Sequence, residues 1–109
     1  MRGQAFLDSD DARASLFGVE TNAERTSKIA LIQRLLEVAF PNRGVRHFYE
    51  PTTMNEVFAI EDEHGQEQCL LATHRLLRDI DSAGIEAKLA NAIRLLHQGD
   101  TEVFLRAGG

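Results

Sequence analysis

The chain contains no tryptophan, a single cysteine and only two prolines. One thiol, Cys69, cannot close an internal disulfide, which excludes a stapled secreted scaffold and fits a reducing, cytoplasmic setting. Pro41 and Pro51 bracket one irregular stretch, and no Pro/Gly-rich linker divides the sequence. No run reaches the ~18 apolar residues of a membrane helix. The segment from Met1 to Asp10 has too short an apolar run for a signal peptide. Apart from the final Gly108-Gly109, glycines stand singly at element ends, so there is no glycine-rich cradle for phosphates. There is no Cys-x-x-Cys, His-x-x-x-His or paired-His spacing to hold zinc.

What remains is a 109-residue chain with 43% hydrophobic residues, enough to bury one core without metal or disulfide support. Net charge is −5. Residues 1–54 hold seven basic and seven acidic residues, residues 55–109 five and ten, so the excess acid lies in the second half. That field repels phosphate backbones and anionic membranes and favours a basic partner.

Residues 21–40 carry the clearest pattern. Thr21 and Glu24 have capping-box spacing, and Ile29, Ile32, Leu35, Leu36, Ala39 and Phe40 recur at helical intervals. Leu31 and Val38 widen that stripe past half the circumference, as expected of a helix packed on two sides, against its own sheet and against a partner or a second copy. Before it, Ser9 to Phe17 reads as a separate short helix stopped by Gly18 and docked through Leu16 and Phe17. Pro41-Asn42-Arg43-Gly44 ends the main helix.

Val45–Glu50, Glu56–Glu61 and Glu67–Ala72 read as strands, the last two joined by a hairpin turn at Gly65. Alternation is imperfect from Val57 to Ile60 and from Cys69 to Ala72: either both faces of the hairpin are covered or the second run is turning helical. Thr73 caps a segment with Leu76, Leu77 and Ile80. After Asp81-Ser82-Ala83-Gly84, a second stripe of Ile85, Leu89, Ala92, Ile93 and Leu96 runs to Gly99. Thr101 to Leu105 has strand propensity, with Val103 to Leu105 packing alternately into the core. The expected fold is α+β: a small antiparallel sheet, a three-stranded meander plus a C-terminal strand, packed against two main helices with a short N-terminal helix. It forms one domain, with residues 1–20 an arm, 21–106 the core and 107–109 a flexible tail.

Catalytic chemistry finds no constellation. Cys69 sits in an apolar run that raises its pKa, and His47, His64, His74 and His97 are scattered over four elements. Acids at a hairpin tip are solvated and lack the shelter a general acid needs. The expectation is a non-enzymatic protein without cofactor or metal. The order helix–strand–strand–strand–helix is that of double-stranded RNA-binding domains, yet the hairpin loop is acidic where those domains are basic, which excludes direct nucleic-acid binding. The reading is a small acidic interaction module, an adaptor, chaperone-like or inhibitor protein. Its partner is a protein, basic or apolar-surfaced, reached through Leu31 and Val38 or through the hairpin acids Glu61, Asp62, Glu63 and Glu67, which Glu56 also flanks. A second alternative makes those acids a mimic of nucleic acid.

In size, acidity and a broad amphipathic helix followed by strands, the chain resembles in type the small acidic chaperones of bacterial secretion systems, with no motif matched residue by residue. Phe40-Pro41-Asn42-Arg43 through Cys69 is similar to a family of short bacterial domains with a Phe-Pro start and a Gly…Cys hairpin, which implies no mechanism. The ending Leu105-Arg106-Ala107-Gly108-Gly109 resembles the tails of ubiquitin-like modifiers and sulfur carriers. That resemblance implies a β-grasp order of strand, strand, helix and further strands, with a central last strand leading into a reactive Gly108-Gly109 carboxylate.

Overall fold

In the computed structural model the backbone is described for residues 9–108 and side chains for residues 23–108. The chain runs α1 (Ser9–Ala39), β1 (Val45–Glu50), β2 (Asn55–Glu61), β3 (Glu67–Ala72), α2 (His74–Asp79), α3 (Ser82–His97) and β4 (Glu102–Leu105). Helices α1 and α3 pack on one four-stranded sheet, so the class is α+β.

α1 is a single helix of 31 residues, and this corrects the expected division at Gly18. Both Gly18 and Thr21 lie inside it. A glycine within a helix costs about 1 kcal/mol relative to alanine, which weakens a helix without stopping it. Glycine stops a helix when it takes a left-handed conformation just past the last turn, as Gly99 does here with φ +104°. The expected docking of Leu16 and Phe17 concerns side chains outside the described residues. From Lys28 onward the spacing tells: Ile32, Leu36 and Phe40, four apart, are fully buried. Pro41 ends the helix because it has no N–H to donate and disfavours a helical Phe40.

The sheet order is β1-β2-β3-β4. β1 pairs antiparallel with β2, and β2 with β3, through a hairpin whose Gly65 has φ +81°. β4 pairs parallel with β3, so the sheet is mixed rather than antiparallel. A parallel return needs a crossover, which α2 and α3 supply. Thr73 and Asp81 start those helices: Thr73 Oγ1 accepts from the Leu76 N–H (3.2 Å) and Asp81 Oδ1 from that of Gly84 (2.8 Å).

Pleating sorts the strands into two faces. Phe58, Ile60, Leu70, Ala72, Val103 and Leu105 point to the helices and join Ile32, Leu36, Phe40, Leu76, Ile85, Leu89 and Leu96 in one core. Two buried polar side chains tie helix backbone to that core. Gln68 Nε2 donates to the carbonyls of Leu96 and Asp100 (both 2.7 Å), and Lys28 Nζ donates to that of Leu77 (2.9 Å).

Candidate functional site

Two places gather side chains whose chemistry exceeds what the core needs. The first is a buried polar cluster where α1, β1, β2 and α2 meet. Glu56 is 4% exposed, so it is not part of the solvated acidic hairpin to which the sequence assigned it. Being even-numbered in β2, it shares the helix-facing side with Phe58 and Ile60. Its Oε2 accepts from Arg25 Nη2 at 2.7 Å and its Oε1 from His47 Nε2 at 2.6 Å. Arg25 Nη1 donates in turn to His74 Nδ1 at 3.2 Å, a direction fixed because a guanidinium has no acceptor. Beside the cluster lies a cavity of about 440 Å³, walled by Tyr49, Met54 and Leu77. With each carboxylate oxygen engaged, Glu56 acts as a tie between elements rather than as a free base.

The second place is the sheet face turned away from the helices. Strand register lines up Phe48, Val57, Leu71 and Phe104 as one row across all four strands. Phe48 is 44% exposed and Phe104 is 40% exposed, whereas Val57 between them is only 5% exposed. The row is therefore apolar from edge to edge and wet at its two aromatic ends. The next row is Arg46, Ala59, Cys69 and Glu102. Arg46 pairs with Glu67, and the Arg106 guanidinium stacks 4.5 Å over the Phe104 ring. Burial, then the charges of Glu67 and Glu102, push the Cys69 thiol up, with Arg46 opposing them. That is the direction its apolar sequence context implied.

The residues expected to bind a partner are dispersed. Leu31 is buried in the core, while Val38 on the same helix is 71% exposed. Val38 lines a shallow groove of about 310 Å³ between α1 and α3, with Leu35 and Ile93. Glu61, Glu63 and Glu67 are exposed, and Asp62 is half-buried. Asp62 builds the hairpin turn: its Oδ1 accepts from the backbone N–H of His64 (2.8 Å) and Gln66 (2.7 Å). Gly108 is exposed at the mouth of a groove between α3 and β4, and Gly109 lies outside the described residues. His47 and His74 both reach the Arg25–Glu56 pair, whereas Cys69 faces the other side of the sheet. Among the described residues, no group of three or more His, Cys, Asp or Glu is placed to hold a metal ion, and no helix is long and apolar enough to cross a membrane.

The open row was missed in the sequence, although its signal was there. The unbroken apolar runs at Val57–Ile60 and Cys69–Ala72 mark strands that are apolar on both faces. No protein-family model, curated protein or solved structure matches the chain.

Proposed function

We propose that this protein is a non-enzymatic protein–protein interaction module that works through the open face of its sheet. The observation that carries the reading is the row Phe48–Val57–Leu71–Phe104, which continues apolar surface across all four strands on the side without helices. An exposed aromatic pair flanking a buried Val57 and a half-buried Leu71 is the composition of an interface centre, and Arg46, Glu67, Glu102 and Arg106 supply a charged rim. The hairpin acids support this surface less well than the sequence suggested. Asp62 is committed to its turn and Glu67 to Arg46.

A carrier acting through Gly108 and Gly109 has less support. β4 lies at the sheet edge with β3 as its one neighbour, where the β-grasp resemblance implies a central last strand. Capture experiments separate the two readings. The full chain is compared with a Phe48→Asp/Phe104→Asp variant and with a chain lacking Gly108 and Gly109. Loss of bound protein with the first variant and retention with the second is expected, together with protection of Cys69 from alkylation in the complex. The opposite pattern favours the carrier, and an unchanged set of bound proteins with the first variant sinks the open-face reading.

A further inference from the structure

We infer that the cavity beside the Arg25–Glu56 tie is a binding site for an uncharged aromatic molecule bearing a carbonyl or amide group. The site lies on the helix side of the sheet, opposite the apolar row, and does not depend on the open-face reading. Its volume of about 440 Å³ is that of a small-ligand pocket. Buried Leu77 with exposed Tyr49 and Met54 forms its apolar wall. Tyr49 is the register partner of Glu56, so its ring stands next to the polar cluster.

The polar wall has donors to spare, and its buried acceptors are spent. Both Glu56 oxygens are taken, by Arg25 and by His47. Of the five guanidinium N–H groups of Arg25, one goes to Glu56 and one to His74. The others have no partner among the described residues. His74 Nδ1 accepts from Arg25, so the proton of the neutral ring sits on Nε2. That N–H also has no partner among the described residues. Arg25 and His74 both line the cavity, and the group that satisfies their spare donors is an acceptor.

Charge selects a neutral acceptor. Arg25 is balanced by Glu56 at 2.7 Å, and Arg78 by Asp79 at 2.8 Å. The lining charge left over is Glu24, exposed and without an ion pair among the described residues. A carboxylate or phosphate would enter against a net negative wall with no free cation to meet it. A carbonyl asks only for the donors, and an amide N–H adds a donor of the kind Glu24 accepts.

Met54 is an independent mark of the same cavity. It holds φ 61°, a left-handed conformation that glycine or asparagine adopts at lower cost. The turn before it is pinned by Glu50, which accepts from the Thr52 and Thr53 N–H groups and the Thr53 hydroxyl. What the strained position keeps is a thioether on the cavity wall, a favourable surface for an aromatic ring.

The test is a titration of the full chain with benzamide, read by amide NMR shifts, with benzoate and acetamide as controls. Benzamide is expected to give saturable shifts at Arg25, Tyr49, Met54, His74 and Leu77, with a Kd on the order of 1–10 mM, the range for so small a ligand. Benzoate, equal in shape but charged, is expected to bind about threefold or more weakly, and acetamide, which lacks the ring, about tenfold or more weakly. His74→Phe keeps a ring but removes the Nε2 donor, and is expected to weaken benzamide about fivefold or more. Met54→Asn is expected to weaken benzamide about threefold while the melting temperature rises, so lost affinity is not lost fold. That variant decides the matter if His74→Phe does not fold. Absence of saturable shifts at these residues up to about 50 mM benzamide overturns the inference. So does a control that binds as tightly as benzamide, or wild-type affinity in either folded variant.

Discussion

Arg25 and Glu56 lie 31 positions apart in sequence and meet at 2.7 Å, joining the middle of α1 to the second strand. The contact lies on the opposite side of the sheet from the apolar row, so the two faces of β2 have different roles. Its helix side holds a charged tie that fixes α1, and its other side presents Val57 and Ala59 among aromatic neighbours. β2 is buried along six of its seven residues and so contributes side chains to both the core beneath α1 and the open face.

That tie is unequal in its two halves, which sets an order of mutational cost. The Glu56 side chain is 6% exposed and that of Arg25 is 24% exposed, so the carboxylate depends more on its partner. Arg25→Met is expected to cost about 2–4 kcal/mol, discounted from a fully buried pair because the guanidinium is part-solvated. Glu56→Gln keeps one oxygen for Arg25 and turns its NH2 to His47 Nε2, which can accept in its other neutral tautomer, so it is expected to cost about half as much. Urea unfolding of the two single variants and the double variant measures the coupling. A double variant whose loss equals the sum of the singles would show that the contact carries no net energy.

Gln68 gives a prediction in which added apolarity is harmful. Its side chain holds the end of α3 to β3, through the carbonyls of Leu96 and Asp100. Gln68→Leu fills similar volume but leaves both carbonyls without this donor. A loss of about 1–3 kcal/mol is expected, against the gain that a hydrophobicity scale would assign. Thermal unfolding checks it, and a melting temperature at or above that of the wild type refutes it.

Two residues with positive φ predict opposite outcomes. Gly99, at φ +104°, has open space where a Cβ would stand, so Gly99→Ala meets only the conformational penalty, about 1–2 kcal/mol. Met54, at φ 61°, already bears that penalty in the turn between β1 and β2. Met54→Asn should raise stability by a few tenths to about 1 kcal/mol, since asparagine tolerates the left-handed region. Equal effects of the two changes in the same direction would contradict the backbone assignment.

Elements whose limits are set by local chemistry were legible in the sequence. The strand runs at residues 45–50 and 67–72, the end of α1 at Pro41, the cap Thr73, the break after Ile80 and the stop at Gly99 all follow from residues within one turn of them. What escaped depends on distant partners. Glu56 read as one of several hairpin acids because its burial is decided by Arg25 and His47, which no local window contains. The parallel direction of β4 depends on how two helices carry the chain back across the sheet, not on Glu102–Leu105. The apolar row was half-visible: Val57 and Leu71 broke the expected alternation, but Phe48 and Phe104 joined them only once the register was fixed.

The hairpin turn predicts a specific acid response. Burial pushes the Asp62 carboxyl up. The backbone N–H groups of Gln66 and His64, with the positive charges of His64 and Arg43, outweigh that and hold it below its ordinary value. Glu50 is lowered by the Thr53 hydroxyl and the Thr53 and Thr52 N–H groups against a smaller burial effect, and Asp79 by its hydrogen bonds from Arg78. A carboxyl depressed in the folded state contributes stability that is fully present above its unfolded pKa. That stability is lost as pH falls through the folded value, so the window lies below about pH 4. Urea midpoints measured at pH 5, 4, 3 and 2 are therefore expected to fall steadily over the last three points. Asp62→Asn retains an oxygen to accept both N–H groups but cannot titrate, so its decline should be shallower than that of the wild type. A parallel decline in the two proteins would mean that the charge of Asp62 contributes nothing to holding the turn.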